Sequence, residues 1–419
     1  MIYKFLRWYA KCGIKFFYKN VFIQNKTKID YNTPTMFSSN HPAGFYESII
    51  LTTIIKKPVY FLVRSDYVNI PILKWFFDII KLLPIYRQSE GFNNVKKNNE
   101  VFSEIYKNLK TNAFIGIYPE GTTKYQFNLN PIKKGVSRIG VGALKNGINN
   151  LKIIPTGFNF SQPDKFRSYL NIYLGEAISL TPDIMENKKE NAIIRELNSY
   201  INTKMHDVNI IITEKRKQHV FAKLQILLIN NELICCKHKI YETNSSIPEN
   251  LKSYSQLIEK MNENQFIKLE NNVNNYFSLL TKENITDFSL VKNNVTIFNT
   301  ISLILGFPLF ITGIILNFLP VLPAILIVKK YTKVYEYKAV LKVLISQFFY
   351  ALYYLIINIL GFLYLKTVGV VFISLPLTAW YSLKYYDLSI DYINSYRYNN
   401  SDKKVKIQEL RNKIMTSIS

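Results

Sequence analysis

Histidine and cysteine are scarce in this chain: four histidines and three cysteines are spread over 419 residues. Cys12, Cys235 and Cys236 are an odd number with no spacing for a disulfide framework, so the thiols are expected to be reduced. Cys235-Cys236-Lys237-His238 lacks the second ligand pair that a zinc site needs, and neither a metal nor a bound cofactor is expected. Acid is also in short supply. Against 53 Lys and Arg stand 29 Asp and Glu, a net charge of +24. An excess of that size points to a polyanionic partner: nucleic acid, anionic lipid headgroups or a phosphorylated substrate. The N-terminus has no uninterrupted apolar run, because basic residues punctuate it, which argues against a cleaved signal peptide.

The scarcity of histidine draws attention to His41, in the stretch Ser38 to Ser48, SSNHPAGFYES. Met36-Phe37 reads as a strand end before it, and Ser48 to Ile55 as helix or strand after it. Pro42 and Gly44 force a turn between them. Glu47 follows His41 by six residues. A histidine and a carboxylate at such a turn are the minimum for general-base catalysis. His206, His219 and His238 are isolated in spacing and read as solvated or core-lining.

The chain changes texture three times. Residues 1–19 predict a basic amphipathic helix, with Lys4, Arg7, Lys11, Lys15 and Lys19 on one face and Phe5, Trp8, Cys12 and Phe16 on another. A helix with that composition suits a membrane interface. Residues 20–210 alternate strands and helices: strands at Val21–Gln24, Thr35–Ser38, Pro58–Val63, Ala113–Tyr118, Leu151–Phe158 and Tyr169–Leu174, and helices at Ile72–Leu83, Glu90–Leu109 and Val136–Lys145. That alternation predicts an α/β layer architecture. Residues 211–292 are polar with apolar residues at helical spacing, a helical region without a catalytic constellation.

Between Lys292 and Lys329 no residue is charged, a stretch longer than the ~20 apolar residues that span a bilayer. Pro308, Pro320, Pro323, Gly306 and Gly313 are expected to break it into one span and a tail, or a re-entrant hairpin. A second run, Val343–Leu365 and Thr367–Leu383, is interrupted only by Lys366. Lys329, Lys330, Lys333, Lys338, Lys342 and Lys384 flank the runs. If basic flanks mark the cytosol, each run enters and returns, making 293–384 a multi-pass or re-entrant membrane region. Residues 385–419 are expected to be a charged cytosolic tail.

Three further stretches carry polar chemistry. Tyr118-Pro119-Glu120-Gly121-Thr122-Thr123 directly follows the strand AFIGIY, where α/β proteins place ligands. Lys133, Lys134 and Arg138 crowd one turn around Gly135 at a helix start, which suits a phosphate. Leu82 to Arg87, LLPIYR, ends in an arginine whose planar fork matches phosphate oxygens. Ile154 to Phe158, IPTGF, is a strand interrupted by Pro and Gly.

In this order and spacing, NHPAGFYE, LLPIYR, YPEGTT and IIPTGF resemble the four sequence blocks of the phospholipid/glycerol acyltransferase family, over roughly Met1 to Met205. The first and third blocks carry most of the specificity. The resemblance implies an acyltransferase-type α/β layer domain, here followed by a helical insert and a C-terminal membrane-embedded helical region. It implies transfer of a fatty acyl group from acyl-CoA or acyl carrier protein, as co-substrate, to a hydroxyl of a glycerol lipid precursor. It further implies His41 as general base, Glu47 as its orienting acid, and Arg87, Glu120, Gly121 and Thr122 as binders of the glycerol phosphate. Lys133, Lys134 or Arg138 would join Arg87 in offsetting the phosphate charge. Two departures stand out: the acid is Glu where the family usually has Asp, and five residues intervene rather than four. The five-residue, proline-containing variant resembles a subgroup acting on glycerol phosphate or dihydroxyacetone phosphate.

Glycerol 3-phosphate is therefore the first expected acceptor, lysophosphatidate the second and another lysophospholipid the third. The expected partners are a phospholipid membrane, the acyl donor and the acceptor, with the catalytic domain on the cytoplasmic face. Two other classes have thinner support. A non-catalytic membrane adaptor rests on the Asp-to-Glu departure alone. Nucleic-acid binding rests on the +24 charge alone, against the apolar runs and the lack of a nucleic-acid motif, and no nucleic-acid partner is expected.

Overall fold

A computed structural model describes the chain apart from residues 69, 87–96, 187, 234–240, 244, 366–367 and 419, and gives backbone only for 27, 241–243, 365 and 368–373. It divides into two compact units, Met1–Ile211 with Ile240–Lys252, and Ile212–Lys239 with Ser253–Ser419.

The first unit is built on one mixed sheet. Its strands are β1 (Asn20–Gln24), β2 (Thr35–Ser39), β3 (Val59–Arg64), β4 (Leu82–Ile85), β5 (Phe114–Ile117), β6 (Leu151–Phe160), β7 (Tyr169–Leu174), β8 (Ile178–Leu180) and β9 (Tyr241–Thr243). The order is β4-β3-β5-β2-β6-β7-β1-β9, with β8 also paired to β6. Pairs among β4, β3, β5, β2 and β6 are parallel, and β6 meets β7 antiparallel. β2 and β5 are central and fully buried, as interior strands of a sheet covered on both faces are. The crossovers β2 to β3 and β3 to β4 step one way along the sheet, and β4 to β5 and β5 to β6 step the other. Right-handed connections place the first pair on one face and the second pair on the opposite face. The first face carries the helix Tyr46–Ile54, on which the N-terminal helix Ile2–Phe17 packs. The second carries Asn98–Lys110 and Gly135–Lys145, the latter packed against Glu190–Val208.

Two elements differ from expectation here. Ile72–Leu83 is not one helix. A 3-10 turn, Pro71–Leu73, leads into the short helix Lys74–Ile79. The chain then turns at Lys81 (φ +64), and Leu82–Ile85 becomes the edge strand of the sheet. Pairing with β3 outweighs helical continuity, and an edge position tolerates Pro84, which has no N–H to donate. The helix expected from Glu90 begins at Asn98 within the described residues. β8 and β9 are three-residue strands that no sequence pattern announced.

The second unit is helical: Lys215–Leu233, Glu263–Glu283, Ile297–Phe318, Leu322–Tyr331, Lys338–Leu360, Val368–Asn399 and Lys404–Ile418 are its longer helices. Two segments, Ile297–Phe318 and Tyr335–Tyr364, are long and apolar enough to cross a membrane, with mean hydropathies of 2.1 and 1.8. Few of their side chains are buried, and Ile297, Phe298, Leu305, Ile315 and Leu355 stand exposed. Pro308, Gly306 and Gly313 lie inside the first of them without breaking it; the break falls at Leu319–Val321, beside Pro320. Polar side chains join this helix to Val368–Asn399: Tyr385 donates to the Leu303 carbonyl (2.7 Å), and Asn317 Nδ2 donates to Thr378 Oγ1 (3.2 Å). Tyr350 donates to Asn317 Oδ1 at 2.8 Å, tying in a third helix. These bonds tie three apolar helices together.

The expected tail from residue 385 is not a separate element. Val368–Asn399 runs through that boundary, and Lys404–Ile418 packs on Glu263–Glu283 with Ile407, Ile414 and Ile418 buried. Its charges mask an apolar stripe at helical spacing.

Candidate active site

β2 and β5 are neighbours in parallel register, Ser38 opposite Ile117, so the segments leaving the two strands emerge at the same edge. β2 leads into Asn40-His41, and β5 into Tyr118-Pro119-Glu120. The turn through Gly44 (φ +70) folds the chain back so that Glu47 lies in the first turn of Tyr46–Ile54. Its Oε2 lies 3.4 Å from His41 Nδ1. The glutamate side chain is fully buried and the imidazole 17% exposed. Glu47 Oε1 accepts from the Ala43 N–H, which fixes the carboxylate from behind. At 3.4 Å the pair touch without forming a well-shaped hydrogen bond, a spacing that catalytic pairs tighten when substrate binds. With Nδ1 facing the carboxylate, Nε2 is the nitrogen left to accept a proton.

The β5 turn supports this pair from below. Tyr118 stacks on the imidazole, centroids 4.3 Å apart and planes within 19°, and its hydroxyl and Ser48 Oγ share a 2.8 Å hydrogen bond. Burial, reinforced by the Glu47 charge, raises the Tyr118 phenol well above its ordinary value, so it stays neutral. Glu120 is buried, and its carboxylate is occupied by the protein itself. Oε1 accepts from the His41 N–H (3.1 Å), and Oε2 from Asn130 N (2.9 Å) and Nδ2 (2.7 Å). The Lys124 N–H reaches the His41 carbonyl at 3.2 Å, so the loop after β5 is bonded to both sides of the His41 peptide.

Residues 20–159, which hold both turns, match the family described as Acyltransferase. This segment is an acyltransferase-family domain. Over 86 residues the chain is 35% identical to glycerol-3-phosphate O-acyltransferase 1 of Saccharomyces cerevisiae, and over 101 residues 30% identical to glycerol-3-phosphate O-acyltransferase 2 of the same yeast. These alignments cover 20% and 23% of this chain but only 11% and 14% of the yeast proteins. Among solved structures, the 1-acyl-sn-glycerophosphate acyltransferase of Thermotoga maritima matches with a TM-score of 0.37 and 14% identity, over 49% of this chain and 78% of that one.

The acyltransferase domain distributes the other expected site residues unevenly. Gly121 has φ +64, and a Cβ there would sit 2.7 Å from Lys133 Nζ, so glycine at this position admits the lysine. Thr122, Lys133, Lys134 and Arg138 are exposed, with Lys134 and Arg138 around the start of Gly135–Lys145. Arg87 lies outside the described residues, as do Cys235, Cys236 and His238. His206 and His219 are exposed to solvent. Glu120, expected among the binders of the glycerol phosphate, is buried with both carboxylate oxygens taken by N–H groups, the geometry of a positioning residue.

Two contributors carried no assigned role in the sequence. Tyr118 was visible only as the residue before Pro119. Asn40 pairs with the β6 backbone 118 residues on, donating to the Phe158 carbonyl (2.9 Å) and accepting from the Phe158 N–H (2.8 Å). Its side chain extends the β2–β6 ladder by one rung and anchors the residue before His41. That is the work of the fourth block, where Gly157 also gives room for the Val208 carbonyl, 1.9 Å from where a Cβ would stand.

Glu120→Gln tests the positioning role. The amide can accept on one side only and turns an N–H toward the His41 or Asn130 donor, so a loss of ~1–3 kcal/mol is expected. Burial raises the Glu120 carboxyl above its ordinary value, against the bonds from Asn130 and His41. The folded state thus binds this proton more tightly than the unfolded chain. Its stabilising contribution is full below the ordinary glutamate value and is lost as pH rises through the raised one. Denaturant melts across that window should show a flatter pH profile for Glu120→Gln than for wild type.

Proposed function

We propose that the protein is a membrane-bound O-acyltransferase that moves a fatty acyl group from acyl-CoA, or acyl carrier protein, to glycerol 3-phosphate. The observation that carries this reading is the His41–Glu47 pair held at the carboxyl edge of β2, beside a loop presenting Lys133. An alcohol loses its proton reluctantly at neutral pH. His41 Nε2 takes that proton as the acceptor oxygen attacks the thioester carbonyl. The new C–O bond forms, the C–S bond breaks, and the departing thiolate receives the proton back from the imidazolium. Glu47 holds the imidazole in the productive tautomer and stabilises its charged form. No step needs a covalent acyl-enzyme, since a thiolate leaves readily. Lys133, Lys134 and Arg138 supply positive charge for the acceptor's phosphate, at a helix start whose free N–H groups favour an anion.

The acceptor assignment draws on the activity named for the yeast relatives and on the five-residue spacing of the first block. The membrane assignment draws on the two helices long enough to span. Lys329, Lys330, Lys333, Lys338 and Lys342 between them form a basic flank of the kind that stays in the cytosol, the side proposed for the catalytic domain. The deciding assay gives the purified full chain one acyl-CoA and equal glycerol 3-phosphate and lysophosphatidate. Lysophosphatidate formation from glycerol 3-phosphate should dominate. Phosphatidate as the sole product would transfer the reading to the lysophosphatidate acceptor, and no acylated product at all would end the enzyme reading.

A further inference from the structure

The first unit has one polar face and one apolar face. On the outer surfaces of Asn98–Lys110, Gly135–Lys145 and Glu190–Val208 the exposed residues are mostly of the kind of Glu104, Lys107, Arg138, Lys145, Arg195 and Glu196, with Tyr200 the exposed aromatic among them. The opposite face is different. Along the crossover from β3 to β4, Ile70 (42%), Ile72 (79%), Leu73 (39%) and Trp75 (62%) stand exposed in one short ridge, with Tyr67 (52%) just before it. On the N-terminal helix of the same face, Ile14 and Phe17 turn inward, while Ile2, Phe5, Trp8 and Phe16 stay exposed. Surface apolar residues scattered singly need no explanation, but two clusters on one side of a sheet, each containing a tryptophan, do.

We infer that this face of the first unit lies on an anionic phospholipid surface, with the ridge Ile70–Trp75 inserted as a second foot beside the N-terminal helix. Three observations select lipid as the occupant. The residues are Trp and branched aliphatics, the types that partition at a headgroup boundary. Exposed cations share their segments: Lys4 and Lys15 on the N-terminal helix and Lys74 in the ridge, within a chain of net charge +24. And the same chain carries two helices long and apolar enough to cross a membrane, so a bilayer is at hand at high effective concentration. Arg7 donates to the Lys56 carbonyl at 2.9 Å, which ties the N-terminal helix to the segment just before β3, the strand that leads into the ridge. The ridge follows the carboxyl end of β3, the sheet edge that also holds His41. Docked this way, the unit keeps that edge beside the headgroup layer. The inference stands independently of the acyl-transfer reading.

The chain's three tryptophans, Trp8, Trp75 and Trp380, make it testable by fluorescence. In the full-length double variant Trp8→Phe/Trp380→Phe, Trp75 is the sole tryptophan and is excited selectively at the red edge of the absorption band. Reconstituted in anionic phospholipid vesicles, it should emit at shorter wavelength than free tryptophan, lose most of its intensity when the acyl chains are brominated, and resist aqueous iodide. Emission like that of free tryptophan with full iodide quenching would place the ridge in water and overturn the inference. Protection from both quenchers would mean that protein covers it, and would overturn it too. Ile72→Asp in the same background should restore iodide access with unchanged far-UV circular dichroism; bromolipid quenching that survives Ile72→Asp counts against insertion through the ridge.

Discussion

His41→Ala should lower acyl transfer by about 10²–10⁴-fold, the range general-base catalysis supplies, while leaving the unit folded. The imidazole is partly exposed and anchored through its backbone, whose N–H is held by Glu120 and whose carbonyl is held by Lys124. Alanine preserves both bonds, so the loss should appear in turnover rather than in melting temperature. Glu47→Gln sharpens the test. Its amide would turn an N–H toward His41 Nδ1, or else lose the contact with the Ala43 N–H. The first choice favours the tautomer with the proton on Nε2, which cannot act as base, and a loss of similar order is expected. Acceptor-dependent release of free thiol, measured at saturating acyl donor, reads both variants. Full activity in His41→Ala would move the base elsewhere.

Asp287→Ala should cost the second unit about 3–5 kcal/mol, the usual result of stripping one partner from a buried ion pair. The Asp287 side chain is 1% exposed and Arg411 8%. One carboxylate oxygen accepts from Arg411 Nε (2.9 Å) and the Tyr276 hydroxyl (2.6 Å), and the other from Asn230 Nδ2 (3.0 Å). Burial, together with the Asp287 charge, pushes the Tyr276 phenol well above its ordinary value, so it remains a donor. Alanine would leave the guanidinium buried without its counter-charge and remove the acceptor that the Tyr276 hydroxyl and Asn230 Nδ2 share. Chemical denaturation of the detergent-solubilised chain measures the cost. The double variant Asp287→Ala/Arg411→Leu should recover a large part of it, because an apolar pair at such a site can match the ion pair it replaces. If the single variant melts like wild type, Asp287 is not what holds Lys404–Ile418 in place.

Sequence alone determined the features whose physics is local. Histidine and glutamate six residues apart around Pro42 and Gly44 define a turn whatever surrounds it, and the structure brings their side chains together. The strands at Pro58 and Ala113 were legible because a two-sided parallel sheet favours continuous apolar runs. The uncharged stretch after Lys292 was legible because length and hydropathy are properties of the chain itself. Tertiary structure decided whatever depended on a distant partner. Leu82–Ile85 is a strand because β3 offers it a free edge. The charged C-terminal segment is a packed helix because Asp287, 124 residues earlier, meets Arg411. Asn40 became an anchor only when β6 came alongside it. Glu120 reads from sequence as a carboxylate available to a ligand. In the fold the His41 N–H, 79 residues away in sequence, claims one oxygen and Asn130 the other. A buried carboxylate takes whatever donors are nearest, and only the packing of β2 against β5 places the His41 peptide there.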